Sequence, residues 1–408
     1  MRFIGDFHIH SKYSRAVSPL MDLENLDRWA IIKGIKVLGT GDFTHPKWLE
    51  HIKEKLSPAE PGLFLLRGYG SPTRFILTSE ISCIYKKNGK VRKVHIIILA
   101  PSLEVVEKIN AKLNQIGNLH SDGRPILGLD AKDLAKIVLD VDENCLVIPA
   151  HAWTPWFSVF GSKSGFNSLE ECFDEYTKYI YAIETGLSSD PAMNWRLSQL
   201  DNITLISNSD SHSPQKIGRE ANVFNTDLSY DGIATAIKTG NPTSPRLRGA
   251  RLLYTVEFFP EEGKYHYDGH RLCDLSLSPN QSKKYNNVCP KCGKPLVIGV
   301  LNRVGELADR PEGFVPKNAI PFKSLIPLNE IIAESIGVST ASKKVGEYYN
   351  KMIKNLGNEF KILLDLSQKE IEKESSPEIA EGIIRVREGK VIVDPGYDGV
   401  YGKIKIFI

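Results

Sequence analysis

The feature that most restricts the fold is an alternation. Short apolar runs and helical patterns succeed one another through the first 240 residues of this 408-residue chain. Phe3–Phe7, Ile35–Leu38, Phe75–Ile84, Val94–Leu99, Cys145–Ala150, Tyr179–Ile183 and Ile203–Ser207 read as strands. Leu23–Lys33, with Asp22 as its cap, Pro46–Leu56, Leu103–Ile116, Asp130–Val138 and Ala192–Leu200 read as helices. Strand and helix in turn imply parallel βαβ units, and this many of them imply an α/β barrel or a large open sheet. Lys87-Asn88-Gly89-Lys90 adds one hairpin turn.

Composition excludes other classes. Hydrophobic residues make up 41% and charged residues 25%, which rules out a disordered or fibrous chain. No run of 18 apolar residues is present, so no membrane partner is expected. The start, Met1-Arg-Phe-Ile-Gly-Asp6, has no secretory pattern, and six cysteines form no disulfide framework. A cytoplasmic protein is therefore expected.

The alternation stops near Gly240. Asn241-Pro242-Thr243-Ser244-Pro245 is turn-rich and marks the expected end of a first domain, 1–240. Residues 241–326 are poor in apolar periodicity but hold Cys and His, and form an expected zinc-binding module. Residues 327–408 form an expected helical domain, with helices at Leu328–Ile336, Ser342–Leu356 and Asn358–Ser367. Glu388–Val393 reads as a hairpin and Gly402–Ile408 as an edge strand. The net charge of +3 is unevenly spread: residues 241–330 carry 13 Lys+Arg against 9 Asp+Glu, a net of +4. That bias is a mild pointer to a polyanion, and on charge alone a solvated surface is the favoured explanation.

The polar residues of the first domain are placed more tellingly. Asp6-Phe-His8-Ile-His10 ends the first strand, and alternation puts Asp6, His8 and His10 on one side. Asp42 and His45 follow the second strand. Glu80 lies within the third, His95 begins the next, His151 follows Ala150 and Glu184 follows Ile183. Asp210 and His212 follow the last strand and again share a side. In a parallel barrel the chemistry collects where several strands end. Imidazole and carboxylate are the ligand set for Zn, Mn or Fe, and so many of them exceed what one ion needs. Ions clustered this way suit phosphate-ester hydrolysis. A lone histidine reads better as a structural residue, but six of the ten fall at or near strand ends. His8/His10 and Asp210/His212 are the strongest pairs. Glu80, His95, His151 and Asp42 come next, and His45, His120 and Glu184 form a second tier. His51 reads as a surface residue.

These motifs, with Ser14, resemble those of the PHP (polymerase and histidinol phosphatase) phosphoesterases over about residues 1–240. The resemblance implies a distorted (βα)7 barrel holding two or three divalent ions, Zn, Mg or Mn. Where that family often has Asp-His after the second strand, this chain has Asp42-Phe43, so Asp42 or His45 must supply that ligand. A family ligand near Arg15-Ala16 has no counterpart.

His270-Arg-Leu-Cys273 and Cys289-Pro-Lys-Cys292 are two knuckles fifteen residues apart. Each offers two ligands on one turn, and together they close a tetrahedron around a structural zinc. His266 is the rival to His270. Cys83, Cys145 and Cys172 read as buried thiols. Farther on, Ser342-Lys343-Lys344 opens a helix after a turn at Gly337. Its N–H groups and two lysines suit a phosphate, and an ordinary packing helix is an equal reading.

The whole order resembles the endonuclease Q family. It runs from the barrel through the knuckles to Ile331-Ala-Glu-Ser-Ile-Gly-Val-Ser and Pro395-Gly-Tyr-Asp-Gly-Val-Tyr. The resemblance implies an archaeal or bacterial, nucleoid-associated DNA-repair endonuclease. It implies cleavage 5′ of uracil, hypoxanthine, xanthine and abasic sites in double- or single-stranded DNA. His8, His10, Asp42, Glu80, His95, His151, Asp210 and His212 would hold the ions, and the products would be a 3′-hydroxyl and a 5′-phosphate. A damaged base must be extruded to be read, and Trp153, Trp156 and Phe157 stand where a base pocket would lie, although packing against the rim explains them as well. Some family members bind the sliding clamp; the end Lys405-Ile-Phe-Ile408 shows no Gln-led clamp motif. A PHP phosphatase of small molecules, of the histidinol-phosphate type, is the alternative function.

Overall fold

The computed structural model describes residues 1–240 and 250–407; the turn-rich run Asn241–Pro245 and Ile408 lie outside them. Seven strands form the ring: β1 Arg2–Asp6, β2 Val37–Gly39, β3 Arg74–Lys87, β4 Lys90–Ala100, β5 Leu146–Pro149, β6 Ala182–Glu184 and β7 Thr204–Ile206. β1, β2 and β3 run parallel, as do β6 and β7. The Asn88-Gly89 turn reverses the chain, so β4 runs antiparallel to both β3 and β5. This departs from the uniform βαβ reading. The hairpin turn that the sequence displays is incompatible with a crossover helix at that step. Elsewhere the ring is held by single contacts: Ala152 N–H donates to Glu184 O (2.9 Å) and His10 N–H to Ser211 O (3.0 Å). The barrel is therefore a distorted one.

Its interior is apolar at one end. Phe7, Val37, Ile76, Ile97, Ile148, Ala182 and Ile206 form one buried cluster. Ile76 shares a strand face with Glu80, and Ile97 shares one with His95, because side chains alternate along a strand. The hydrophobic plug thus supports the polar end directly. Outside pack helices whose starts are capped as their sequences suggest. Asp22, Ser102 and Asp130 each accept a backbone N–H at the start of Leu23–Lys33, Leu103–Leu113 and Ala131–Val141. The expected helix Ala192–Leu200 is instead one turn, Pro191–Asn194, followed by a 3-10 turn at Ser198–Leu200.

The sheet continues past the ring. β8, Ala221–Asn225, pairs antiparallel with β1; β9, Arg251–Glu257, pairs with β8; β10, Phe322–Ser324, pairs with β9. Between β9 and β10 lies a small zinc-knuckle subdomain whose own core is only Leu277, Cys289 and Leu296. Five helices follow: Leu328–Ser335, Lys343–Leu356, Glu359–Leu364, Gln368–Glu372 and Pro377–Arg387. The expected hairpin Glu388–Val393 does not form. The last helix runs to Arg387, and Ile392–Asp394 pairs with Lys403–Lys405 instead. The turn between those strands grips the zinc subdomain, where Tyr397 Oη donates to Asp274 Oδ1 (2.7 Å).

Candidate metal centre

Residues on or just beyond five strands, β1, β3, β4, β5 and β7, meet at the polar mouth of the barrel. His8, His10, Glu80 and Asp210 place one ligand atom each within 4.8 Å of one another. Glu80, His95 and His151 do the same. Glu80 belongs to both groups. Its Oε2 faces His8 Nε2 (3.4 Å) and His10 Nε2 (3.3 Å), and its Oε1 faces His95 Nδ1 (2.8 Å) and His151 Nε2 (3.2 Å). A carboxylate shared between two imidazole pairs makes a dense nitrogen and oxygen donor set of the kind divalent ions take. The antiparallel β4 is essential to it: His95 lies opposite Ser82, on the face that carries Glu80.

The donors fit divalent ions. His8 Nε2 is buried and has no hydrogen-bond partner of its own. His8 Nδ1, in contrast, meets Glu184 Oε2 at 3.0 Å, and His10 Nδ1 meets Asp42 Oδ1 at 3.0 Å. A carboxylate behind an imidazole fixes which nitrogen points forward and raises its basicity as a ligand. Glu184 also accepts from His151 N–H (2.8 Å) and Asn208 Nδ2 (3.0 Å), so one buried side chain positions two ligands. Asp42, His151 and Asp210 all have positive φ, at 47°, 29° and 45°. Strain of this kind at non-glycine residues collects at functional sites.

Electrostatics follow the geometry. Burial depresses the His8 imidazole, but the carboxylates of Glu184, Glu80 and Asp210 outweigh it and hold His8 well above its ordinary range. Burial pushes His95 down to about 4, despite the Glu80 carboxylate. Burial would raise Glu80, yet His95, Arg124 and His8 hold it well below the usual carboxylate range.

Several residues land elsewhere than expected. Asp42 lies outside the convergent groups: its oxygens accept from Ser11 N–H (2.6 Å) and Ser14 Oγ (2.8 Å) while orienting His10. Asp6 does not join the convergent groups either. β1 ends there, so alternation no longer applies, and its carboxylate accepts from Ser209 and Gly218 N–H. His212 stands at the open side, its ring 4.8 Å from that of His10 and its Nδ1 2.9 Å from Asp210 O. His45 stacks on Tyr13 at the start of Pro46–Lys55, and His120 is exposed. Trp153 is a core residue, 1% exposed, packed at a tilt against Phe160 and bonded to Asn194 Oδ1 (2.8 Å); it has no surface to offer a base. Trp156 is 39% exposed against Tyr265, and Phe157 packs on His95. Lys343 and Lys344 are exposed at the start of their helix, which Ser342 caps.

Arg124 escapes a sequence reading. Its Nη1 stands 3.0 Å from Glu80 Oε2, but it sits in an irregular loop beside Gly123, with no periodicity to point inward. At the second site, His270, Cys273, Cys289 and Cys292 converge. His266 does not join them; it is buried away from that group, stacked on Tyr267.

A seven-stranded barrel with these clustered ligands at its mouth defines the class: a PHP-type, metal-dependent phosphoesterase barrel. Comparison with known proteins narrows it. The structure superposes on the lesion-specific endonuclease PfuEndoQ from Pyrococcus furiosus with a TM-score of 0.87 and 33% identity, covering 99% of this chain and 95% of that one. It also superposes on endonuclease Q in complex with a 27-mer duplex bearing an abasic lesion at the active site. There the TM-score is 0.86, with 33% identity, covering 100% of this chain and 97% of that one. Residues 327–390 match the MJ0043 C-terminal domain family. The chain is 34% identical to the uncharacterized MJ0043 of Methanocaldococcus jannaschii over 72% of this chain but only 35% of that protein's length. It is 30% identical to the uncharacterized YqxK of Bacillus subtilis over 91% of this chain and 89% of YqxK. The chain belongs to the endonuclease Q family.

Proposed function

We propose that this protein is a DNA-repair endonuclease that hydrolyses the phosphodiester on the 5′ side of deaminated bases and abasic sites. The products are a 3′-hydroxyl and a 5′-phosphate. One observation carries the reading: the likeness to an endonuclease Q bound to an abasic duplex runs through barrel, knuckles and C-terminal helices alike. A phosphatase of small molecules would need only the first of these.

His8, His10, Glu80 and Asp210 would hold one divalent ion, and Glu80, His95 and His151 a second. Such ions supply Lewis-acid charge to phosphoryl oxygens and ease deprotonation of the attacking water. The protein does the rest. Glu184 and Asp42 keep the imidazoles aimed. Arg124, 28% exposed at its side chain, adds a fixed cation at the rim for a phosphoryl oxygen. His270, Cys273, Cys289 and Cys292 would hold a structural zinc, since four protein ligands leave no open position.

The test is an end-labelled duplex with a single uracil or abasic site, incubated with Mg²⁺, Mn²⁺ or Zn²⁺. A nick 5′ of the lesion, leaving an end that a polymerase extends, is expected. An intact duplex alongside rapid turnover of p-nitrophenyl phosphate would overturn the reading in favour of a phosphatase.

A further inference from the structure

The zinc knuckle ends in a bare leucine. Leu272 lies between two ligands of the cluster, His270 and Cys273, and is 83% exposed, more than any other large apolar side chain among the described residues. Leaving a leucine in water forgoes the gain of burying its apolar surface, so such a residue on a mobile loop would ordinarily fold back. Here it cannot. Arg271 N–H donates to Asp398 Oδ2 (2.6 Å), Lys291 Nζ donates to Cys273 O (2.7 Å), and Tyr397 Oη bonds Asp274 (2.7 Å). The turn is pinned from three sides and its apolar tip is held outward.

Arg271 and Lys291 stand at that turn, with Asp274 and Asp398 bonded to it, and aromatic rings lead from it to the metal centre. Residues 270–294 contain five Lys+Arg and one acidic residue, Asp274. From His95 the path runs to Phe157 (4.7 Å between ring centroids), and the next residue, Trp156, stands 5.7 Å from Tyr265. Tyr265 and Arg271 then flank Gly399, where an added Cβ would lie 3.8 Å from Tyr265 Oη and 3.4 Å from Arg271 Nη1. Aromatic faces interleaved with cations suit nucleic acid: bases stack and phosphates pair.

We infer that Leu272 is a wedge that enters the base stack of a lesion-bearing duplex while Arg271 beside it holds the backbone. The inference rests on the endonuclease reading above and adds to it a specificity element outside the two barrel ligand groups. Extruding a nucleotide opens a gap in the stack, and proteins that kink DNA fill such gaps with a rigid apolar side chain. A damaged or abasic pair unstacks at lower cost, so a fixed wedge favours lesions without contacting the base itself.

The test compares wild type with Leu272→Ala in the full, metal-loaded chain on two substrates, a paired duplex with one abasic site and the same lesion strand alone. The wedge predicts about a tenfold loss of nicking on the duplex and none on the single strand, which has no stack to open. Equal loss on both, or on neither, would overturn it. A second measurement is independent of cleavage: 2-aminopurine beside the lesion should brighten on binding wild type and stay dim with Leu272→Ala. Brightening with both proteins, or with neither, would also overturn it. Failure of wild type to nick either substrate, with brightening still lost in Leu272→Ala, would refute the endonuclease reading and leave the wedge standing.

Discussion

Glu184 Oε2 stands 3.0 Å from His8 Nδ1, and this contact decides which imidazole nitrogen faces the metal centre. The pair spans 176 residues of sequence. Replacing Glu184 by Gln keeps the volume but loses the charge that holds the imidazole. Metal affinity of the barrel should fall by about 10–100-fold with the fold intact. Metal titration followed by calorimetry checks it, and unchanged affinity would remove Glu184 from its positioning role.

Glu80 is shared by both ligand groups, so Glu80→Gln should cost more than loss of any single histidine. Nicking should drop by roughly three orders of magnitude or more, while binding of a lesion duplex persists. Chelation by EDTA should abolish nicking of wild type, and added Mn²⁺ should restore it. Single-turnover kinetics with a parallel binding assay separates the two effects.

The tryptophans should part company. Trp153→Ala opens a cavity in the core and should cost about 3–5 kcal/mol, seen as a fall in Tm. Trp156→Ala should leave Tm unchanged and alter only the preference among lesions. A normal lesion preference in Trp156→Ala would exclude it from the substrate surface.

The zinc subdomain has too small a core to stand without its ligands. Cys289→Ser should therefore release the metal and raise proteolytic sensitivity around residues 268–298, with the barrel still folded. Metal analysis and limited digestion report on each, and a zinc content equal to wild type would contradict the four-ligand assignment.

Burial pushes Glu257 up to about 8, from an ordinary value of 4.5, and raises Glu220 beside it. The sign follows from proton binding. The folded state retains a proton that the unfolded chain gives up. The stabilisation is therefore complete below pH 4.5 and is lost as pH rises through about 8. Glu257→Gln should flatten this slope, gaining on the order of 3 kcal/mol over wild type near pH 9. Denaturation at pH 5, 7 and 9 would show it; parallel curves for the two proteins would count against it.

Much of the site was readable because its signals are local. Strand ends recur along the chain, and His8/His10 and Cys289/Cys292 are spaced by one local turn or extension. The hairpin turn at Asn88-Gly89 was also visible, but its consequence was not. Reversing β4 is what brings His95 onto the face of Glu80, and that depends on register between two strands. Trp153 and Trp156 show the same limit: three residues apart, one is core and one is rim, because the loop between them turns.

The sequence alone determined the alternation that makes a barrel, the residue types at its mouth and the spacing of the knuckles, since each is a matter of a few neighbouring residues. Tertiary contact assigned the roles. It set Glu184 and Asp42 behind the imidazoles, drew Arg124 to Glu80, chose His270 over His266 and left Leu272 bare. Those outcomes turn on groups that meet across the barrel or the module rather than along the chain, and no local periodicity encodes which of a residue's atoms its distant partner will occupy.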